Sequence, residues 1–129
     1  MTQPHISECM TKAPYTISNT ATLLEARKRM QNAEIRHLPV VYGERLVGVI
    51  SDRDLDVALA LDESQQHALV SSLMVEEVYV AEPTEKLAHV LRVMVNRKLG
   101  SAVVAEKDNV LGVFTTTDAL HMLAKLLEE

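Results

Sequence analysis

Gly48-Val49-Ile50-Ser51-Asp52-Arg53-Asp54 and Gly112-Val113-Phe114-Thr115-Thr116-Thr117-Asp118 are two versions of one pattern, Gly-x-x-[Ser/Thr]-x-x-Asp, set 64 residues apart. Working outward from them, the same register holds without a gap. Met10 meets Met74, Tyr15 meets Tyr79, Thr20 meets Thr84, Leu23 meets Leu87, Met30 meets Met94 and Val40 meets Val104. Apolar character matches too, as in Ile6 with Val70 and Leu46 with Val110. Self-similarity sustained across half a chain reports a duplicated structural unit.

Each copy predicts the same elements. A short strand comes first, near Tyr15–Ile17 and Tyr79–Ala81. A helix follows, with Thr20 and Thr84 as expected N-caps, since a threonine oxygen can accept from the free amides of a first turn. Leu23, Ala26, Met30 and Ala33, and in the second copy Leu87, Val90, Leu91, Met94 and Val95, fall at helical spacing as a buried stripe. Two apolar runs then form a hairpin in each copy: Leu38–Tyr42 with Leu46–Ile50, and Ala102–Ala105 with Val110–Phe114. Gly43-Glu44 and Lys107-Asp108-Asn109 make the turns. A last helix starts near Asp52 and again near Thr116. Residues 61–71 are polar, without Pro or Gly, and read as a helix end and linker. The class is α+β, β-α-β-β-α twice, and neither half alone holds a large core, so the two must pack together.

The chain has 129 residues and a net charge of −5, with no basic block, which disfavours nucleic acid and anionic membranes as partners. Aromatics are 3% with no Trp, too few for a base-stacking platform. No apolar run is long enough to span a bilayer. The start, Met1-Thr2-Gln3-Pro4-His5, lacks a basic-then-apolar leader. Cys9 is the only cysteine, so no internal disulfide forms. A cytoplasmic location is expected.

The repeated motif sits where a strand gives way to a helix. Glycine inside a strand forfeits packing and marks close approach by a ligand or by another backbone. The hydroxyl of Ser51 or Thr115 falls at a helix N-terminus, which favours an anion. Three residues on, Asp54 or Asp118 shares that side of the first turn, and an ionised carboxylate can accept from both hydroxyls of a ribose. Ordinary helix capping uses the same residue types, and the two uses are compatible.

On these residues the chain resembles the CBS-domain family in its tandem-pair form. The first copy carries Ile35-Arg36-His37-Leu38-Pro39-Val40-Val41 and Leu46-Val47-Gly48-Val49-Ile50-Ser51-Asp52-Arg53-Asp54-Leu55. The second carries Leu99-Gly100-Ser101-Ala102-Val103-Val104 and Leu111-Gly112-Val113-Phe114-Thr115-Thr116-Thr117-Asp118, a weaker match because Val103 replaces the usual proline. The resemblance spans about Ile6 to Leu123. It implies two tandem CBS repeats, 1–62 and 63–129, packed with pseudo-two-fold symmetry, as a non-enzymatic regulatory module. It also implies inter-repeat clefts that take AMP, ADP, ATP or S-adenosylmethionine-like compounds, with no required cofactor. Asp54 and Asp118 would hold ribose hydroxyls, and Ser51 and Thr115 would reach the phosphate side. Backbone at Thr16-Ile17 and Val80-Ala81 would border adenine. Arg36, His37 and Arg53 are candidate phosphate partners in the first copy. Gly100 and Ser101 replace Arg36 and His37 in the second, so the two sites are not equivalent. The family's disc-shaped homodimers make a homodimer the expected assembly, with an effector protein that the sequence does not identify. The spacing of Leu120, Leu123 and Leu127 suits an apolar interface seam, with core as the alternative for Leu120 and Leu123. The competing reading is a ligand-free interaction scaffold.

Other residues carry less. His5 and Cys9, four apart, could share a face of a short helix, but two ligands do not make a metal site. Met10 and Met74 read as core. His67, His89 and His121 read as surface histidines, and His37 as either a phosphate partner or a surface strand start. No nucleophile–base pair and no Walker-type loop is present.

Overall fold

The structure is a computed structural model and describes residues 3–12 and 15–129. Met1 and Thr2, part of the stretch read for a leader, lie outside the described residues. In chain order the elements are α1 (Ile6–Cys9), β1 (Thr11–Lys12), β2 (Ile17–Ser18), α2 (Leu23–Ala33), β3 (His37–Tyr42), β4 (Arg45–Ser51) and α3 (Asp52–Leu61). Two short 3-10 helices, Glu63–His67 and Val70–Ser72, precede β5 (Val80–Ala81), α4 (Leu87–Arg97), β6 (Ser101–Glu106), β7 (Asn109–Thr115) and α5 (Thr116–Glu128). Among the described residues no helix is long and apolar enough to cross a membrane.

Two compact units result, Tyr15–Val78 and Met1–Pro14 with Tyr79–Glu129. The first holds a three-stranded sheet in the order β2-β3-β4. β2 runs parallel to β3, and β3 and β4 form the antiparallel hairpin, with His37 opposite Ser51. Gly43 turns it at φ 63°, a left-handed conformation that glycine adopts without a Cβ penalty. Ile17, Leu23, Ala26, Met30, Leu38, Val40, Ile50, Leu55 and Val70 form its core. The second unit holds β1-β7-β6-β5 over a core of Ile6, Ala81, Val90, Met94, Ala102, Val104 and Phe114.

A sequence repeat and a compact unit are thus different stretches of chain. Ile6 opens the first repeat yet is buried with the second repeat's helices and strands; Val70 opens the second yet is buried with the first. Backbone bonds tie these leading segments down in the same way. Ile6 N–H donates to Glu85 O at 2.8 Å and Leu87 N–H to Pro4 O at 2.9 Å. Val70 N–H donates to Ala21 O at 2.7 Å and Leu23 N–H to Ala68 O at 2.9 Å. The first amides of α2 and α4 are therefore satisfied by a carbonyl from far along the chain.

The strand glycines serve this crossing. β1 pairs antiparallel with β7, placing Lys12 opposite Gly112, and Val75 bridges Val49 beside Gly48. A methyl at Gly112 would lie 2.5 Å from Met10 Sδ and 2.7 Å from the Thr11 carbonyl oxygen. At Gly48 it would lie 2.9 Å from both Met74 Sδ and the Val75 oxygen. Of the two causes a strand glycine suggests, the close approach here is another backbone. Met10 and Met74 pack against the two cores, as expected.

Three expectations need correction. Thr22, not Thr20, caps α2, its Oγ1 accepting from Glu25 N–H at 3.2 Å. The Thr20 hydroxyl instead lies 2.9 Å from that of Ser18, in the preceding turn. Lys86, not Thr84, is the N-cap of α4 and offers no side-chain acceptor. Val95, placed in the buried stripe, is 67% exposed, because Val90 and Met94 with half-buried Leu87 and Leu91 already cover the narrow contact face.

Candidate functional site

Both strand-to-helix corners form as the motif predicts. Ser51 and Thr115 are N-caps of α3 and α5, their hydroxyls accepting from Asp54 N–H at 3.2 Å and Asp118 N–H at 3.1 Å. The strand opposite completes each corner: Asp52 N–H donates to Arg36 O at 2.9 Å and Thr116 N–H to Gly100 O at 3.0 Å. Arg36 and half-buried His37 thus stand beside Ser51, and exposed Arg53 follows on the first turn of α3. Thr16 lies just before β2, its carbonyl accepting from Arg29 Nη1 at 2.5 Å. Ile17 is buried on β2. The first-copy residues are therefore gathered within one compact unit. In the second unit, Val80 is exposed and Ala81 buried on β5, with Thr115 and Asp118 at the start of α5.

The two carboxylates differ. Among the described residues the Asp54 carboxylate accepts no hydrogen bond and joins no ion pair. Asp118 is engaged at both oxygens: Oδ2 accepts from Thr115 N–H at 2.9 Å in a capping box, and Oδ1 accepts from the Thr11 hydroxyl at 3.3 Å. The strand starts differ as well. Val103 N–H donates to Tyr79 O at 2.9 Å, whereas Pro39 at the matching place has no N–H to give.

Charge follows the same division. Arg36, His37 and Arg53 of the first copy are replaced by Gly100, Ser101 and Thr117. A cavity of about 380 Å³ opens beside the first corner and holds Arg36, Asp52 and the exposed Arg27–Asp56 ion pair, but not Asp54.

Sequence reasoning missed a polar cluster beside β5. The Tyr79 hydroxyl donates to Glu85 Oε1 at 2.9 Å, and the Arg97 guanidinium lies 5.9 Å from the ring centroid. Burial first, then the Glu85 carboxylate, push the phenol up to about 12 against the opposing pull of Arg97. The folded protein thus holds this proton more tightly than the unfolded chain, whose phenol has the ordinary value of 10.0. The resulting stabilisation is complete below about pH 10 and is lost as pH rises toward about 12. An absorbance titration is expected to show a late phenolate that Tyr79→Phe removes; an unchanged titration curve would contradict the assignment.

His5 is the N-cap of α1, its N–H donating to Glu8 Oε2 at 3.0 Å, and burial with nearby Glu8 raises the Cys9 thiol pKa. Among the described residues no three His, Cys, Asp or Glu side chains gather as a metal site. His67, His89 and His121 are exposed. So are Leu120, Leu123 and Leu127 along α5, at 61, 51 and 77%.

Comparison with known proteins places these corners in a family. The CBS domain matches twice, at residues 6–61 and 70–125. A CBS domain-containing protein of Dictyostelium discoideum is 31% identical over 135 residues, covering 95% of this chain and 93% of that one. The crystal structure of the CBS domain pair of protein MJ0100, in complex with 5′-methylthioadenosine and S-adenosyl-L-methionine, is 25% identical, with a TM-score of 0.82, covering 96% of this chain and 98% of that one. A putative acetoin utilization protein, AcuB, from Vibrio cholerae is 29% identical with a TM-score of 0.79, covering 98% of this chain and 95% of that one. Other relatives are longer: the chain spans 42% of a Methanocaldococcus jannaschii protein and 25% of a homoserine O-acetyltransferase from Methanohalobium evestigatum. Two matched domains in tandem, covering most of the sequence, make this chain a member of the CBS-domain family.

Proposed function

We propose that the chain is a regulatory sensor that binds an adenosine-containing ligand at the corner formed by Ser51 and Asp54. The observation that carries this is the Asp54 carboxylate, unpartnered among the described residues and held in the first turn of α3 by the Ser51 cap, with Arg53 preceding it in sequence and the Arg36 carbonyl bonded to Asp52 N–H at the same corner. A carboxylate there can accept both ribose hydroxyls. The helix N-terminus and the arginines suit a phosphate or other anionic group beyond the ribose. The Thr16-Ile17 backbone borders the base, and His37 stands on the phosphate side. The ligands named for the MJ0100 domain pair, both adenosyl compounds, support the class. Binding acts by favouring the conformation with higher affinity, which an effector protein then reads. The test is thermal unfolding with AMP, ADP, ATP, S-adenosylmethionine and NAD, with guanine nucleotides as controls. One adenosyl compound should raise the midpoint, and Asp54→Ala should abolish the rise. No shift with any of them removes the sensor.

A second reading, a dimerising scaffold, is favoured by the exposed Leu120, Leu123 and Leu127 seam. If that seam joins two copies, Leu123→Glu is expected to turn a dimer into a monomer in light scattering while leaving the unfolding midpoint of the dilute protein nearly unchanged. An unaltered mass excludes the seam as the interface.

A further inference from the structure

We infer that the second copy of the motif is closed to ribose by Thr11, so that the chain takes one adenosyl ligand rather than two. The inference rests on the ligand assignment of Asp54. Thr11 does to Asp118 what a ribose hydroxyl would do: it presents an O–H donor to carboxylate Oδ1, at 3.3 Å. The other oxygen is held by Thr115 N–H at 2.9 Å. A diol arriving here must displace the Thr11 hydroxyl or share Oδ1 with it, and so gains less than at Asp54, whose carboxylate has no such donor among the described residues.

The repeat register identifies the residue responsible. The position of Thr11 in the first copy is matched by Val75 in the second. Each lies on the segment that crosses to the partner sheet, Thr11 opposite Val113 and Val75 opposite Val49. Valine has no donor, so nothing on that segment reaches Asp54, while threonine at the same place satisfies Asp118. Two further differences point the same way. Val103 N–H fastens the Tyr79 carbonyl where Pro39 leaves its counterpart unfastened, and no arginine stands beside Thr115. Thr11 is therefore a specificity-determining residue that acts by occupying a site.

Equilibrium dialysis of the full chain with S-adenosylmethionine and with AMP tests this. The unaltered protein should bind one equivalent of whichever compound it takes, and Asp54→Ala none. Thr11→Val should acquire a second, weaker equivalent, with affinity at the new site rising on the order of tenfold. Two equivalents of similar affinity in the unaltered chain, or a Thr11→Val chain that binds the first equivalent but no second, overturn the proposal. A ligand-free measurement separates it from the assignment of Asp54. In thermal unfolding, Thr11→Val and Asp118→Asn together should lower the midpoint by less than the sum of the two single changes. If neither compound binds but that coupling is present, the Asp54 assignment fails and the Thr11 closure stands. Additive shifts overturn the closure itself.

Discussion

Gly112→Ala is expected to lower the stability of the protein by about 2–3 kcal/mol, and Gly48→Ala by about 1–2 kcal/mol, within the range for overpacking a well-filled interior. The order follows from geometry. At Gly112 the added methyl meets the Thr11 carbonyl oxygen at 2.7 Å and Met10 Sδ at 2.5 Å, against 2.9 Å for both neighbours at Gly48. A methionine sulfur sits at the end of a flexible chain and can give way. A carbonyl paired in a strand cannot move without breaking the β1–β7 ladder. For a chain of this size the midpoint should fall by roughly 6–15 °C at Gly112. Gly100→Ala is the control, because nothing lies within 4 Å of the added methyl. Equal midpoints for Gly112→Ala and Gly100→Ala would show that the crossing segment is not packed as described.

Ligand binding should move the midpoint as far in the other direction. At a free concentration of about one hundred times the dissociation constant, a single site stabilises the folded state by about 2.7 kcal/mol. That corresponds to a rise of roughly 8–13 °C. Asp54 contributes through two charge-assisted hydrogen bonds, each worth about 1.5–3 kcal/mol. Asp54→Ala should therefore weaken binding a hundredfold or more and cancel the rise at that concentration. Its own effect on the unliganded midpoint should be small, since the carboxylate has no partner among the described residues and the Ser51 cap uses only its backbone N–H. A rise that survives Asp54→Ala would place the ligand elsewhere, and the cavity beside Arg36 would be the next location to probe.

What could be read from sequence was what local periodicity encodes. The hairpins, the starts of α3 and α5 at Asp52 and Thr116, and the Ser51 and Thr115 caps all lie within a few residues of the signals that specify them. The N-termini of α2 and α4 were misplaced by two residues for a physical reason. Their first amides bond to Ala68 and Pro4, carbonyls that only the folded chain brings near, so the second copy needs no side-chain cap and has Lys86 there. Thr22 with Glu25 three residues on was the better local signal in the first copy. The glycines were recognised as sites of close approach, but nothing local says whether the neighbour is a ligand or a strand. The same is true of Asp118: its motif is complete, and its occupation by Thr11 depends on a contact spanning most of the chain.

That long contact also sets an order of events during synthesis. Tyr15–Val78 is continuous, and all of its elements have been made once its last residues emerge. Thr11 and Lys12 pair with Val113 and Gly112, about a hundred residues later. At roughly 5–20 residues per second, the α1–β1 segment waits on the order of five to twenty seconds for its sheet. During that interval Ile6 has no core to enter and the β1 edge has no partner. The nascent chain is most exposed to chaperones, proteases and misassociation through that waiting segment, although the unit that begins three residues after Lys12 is already complete.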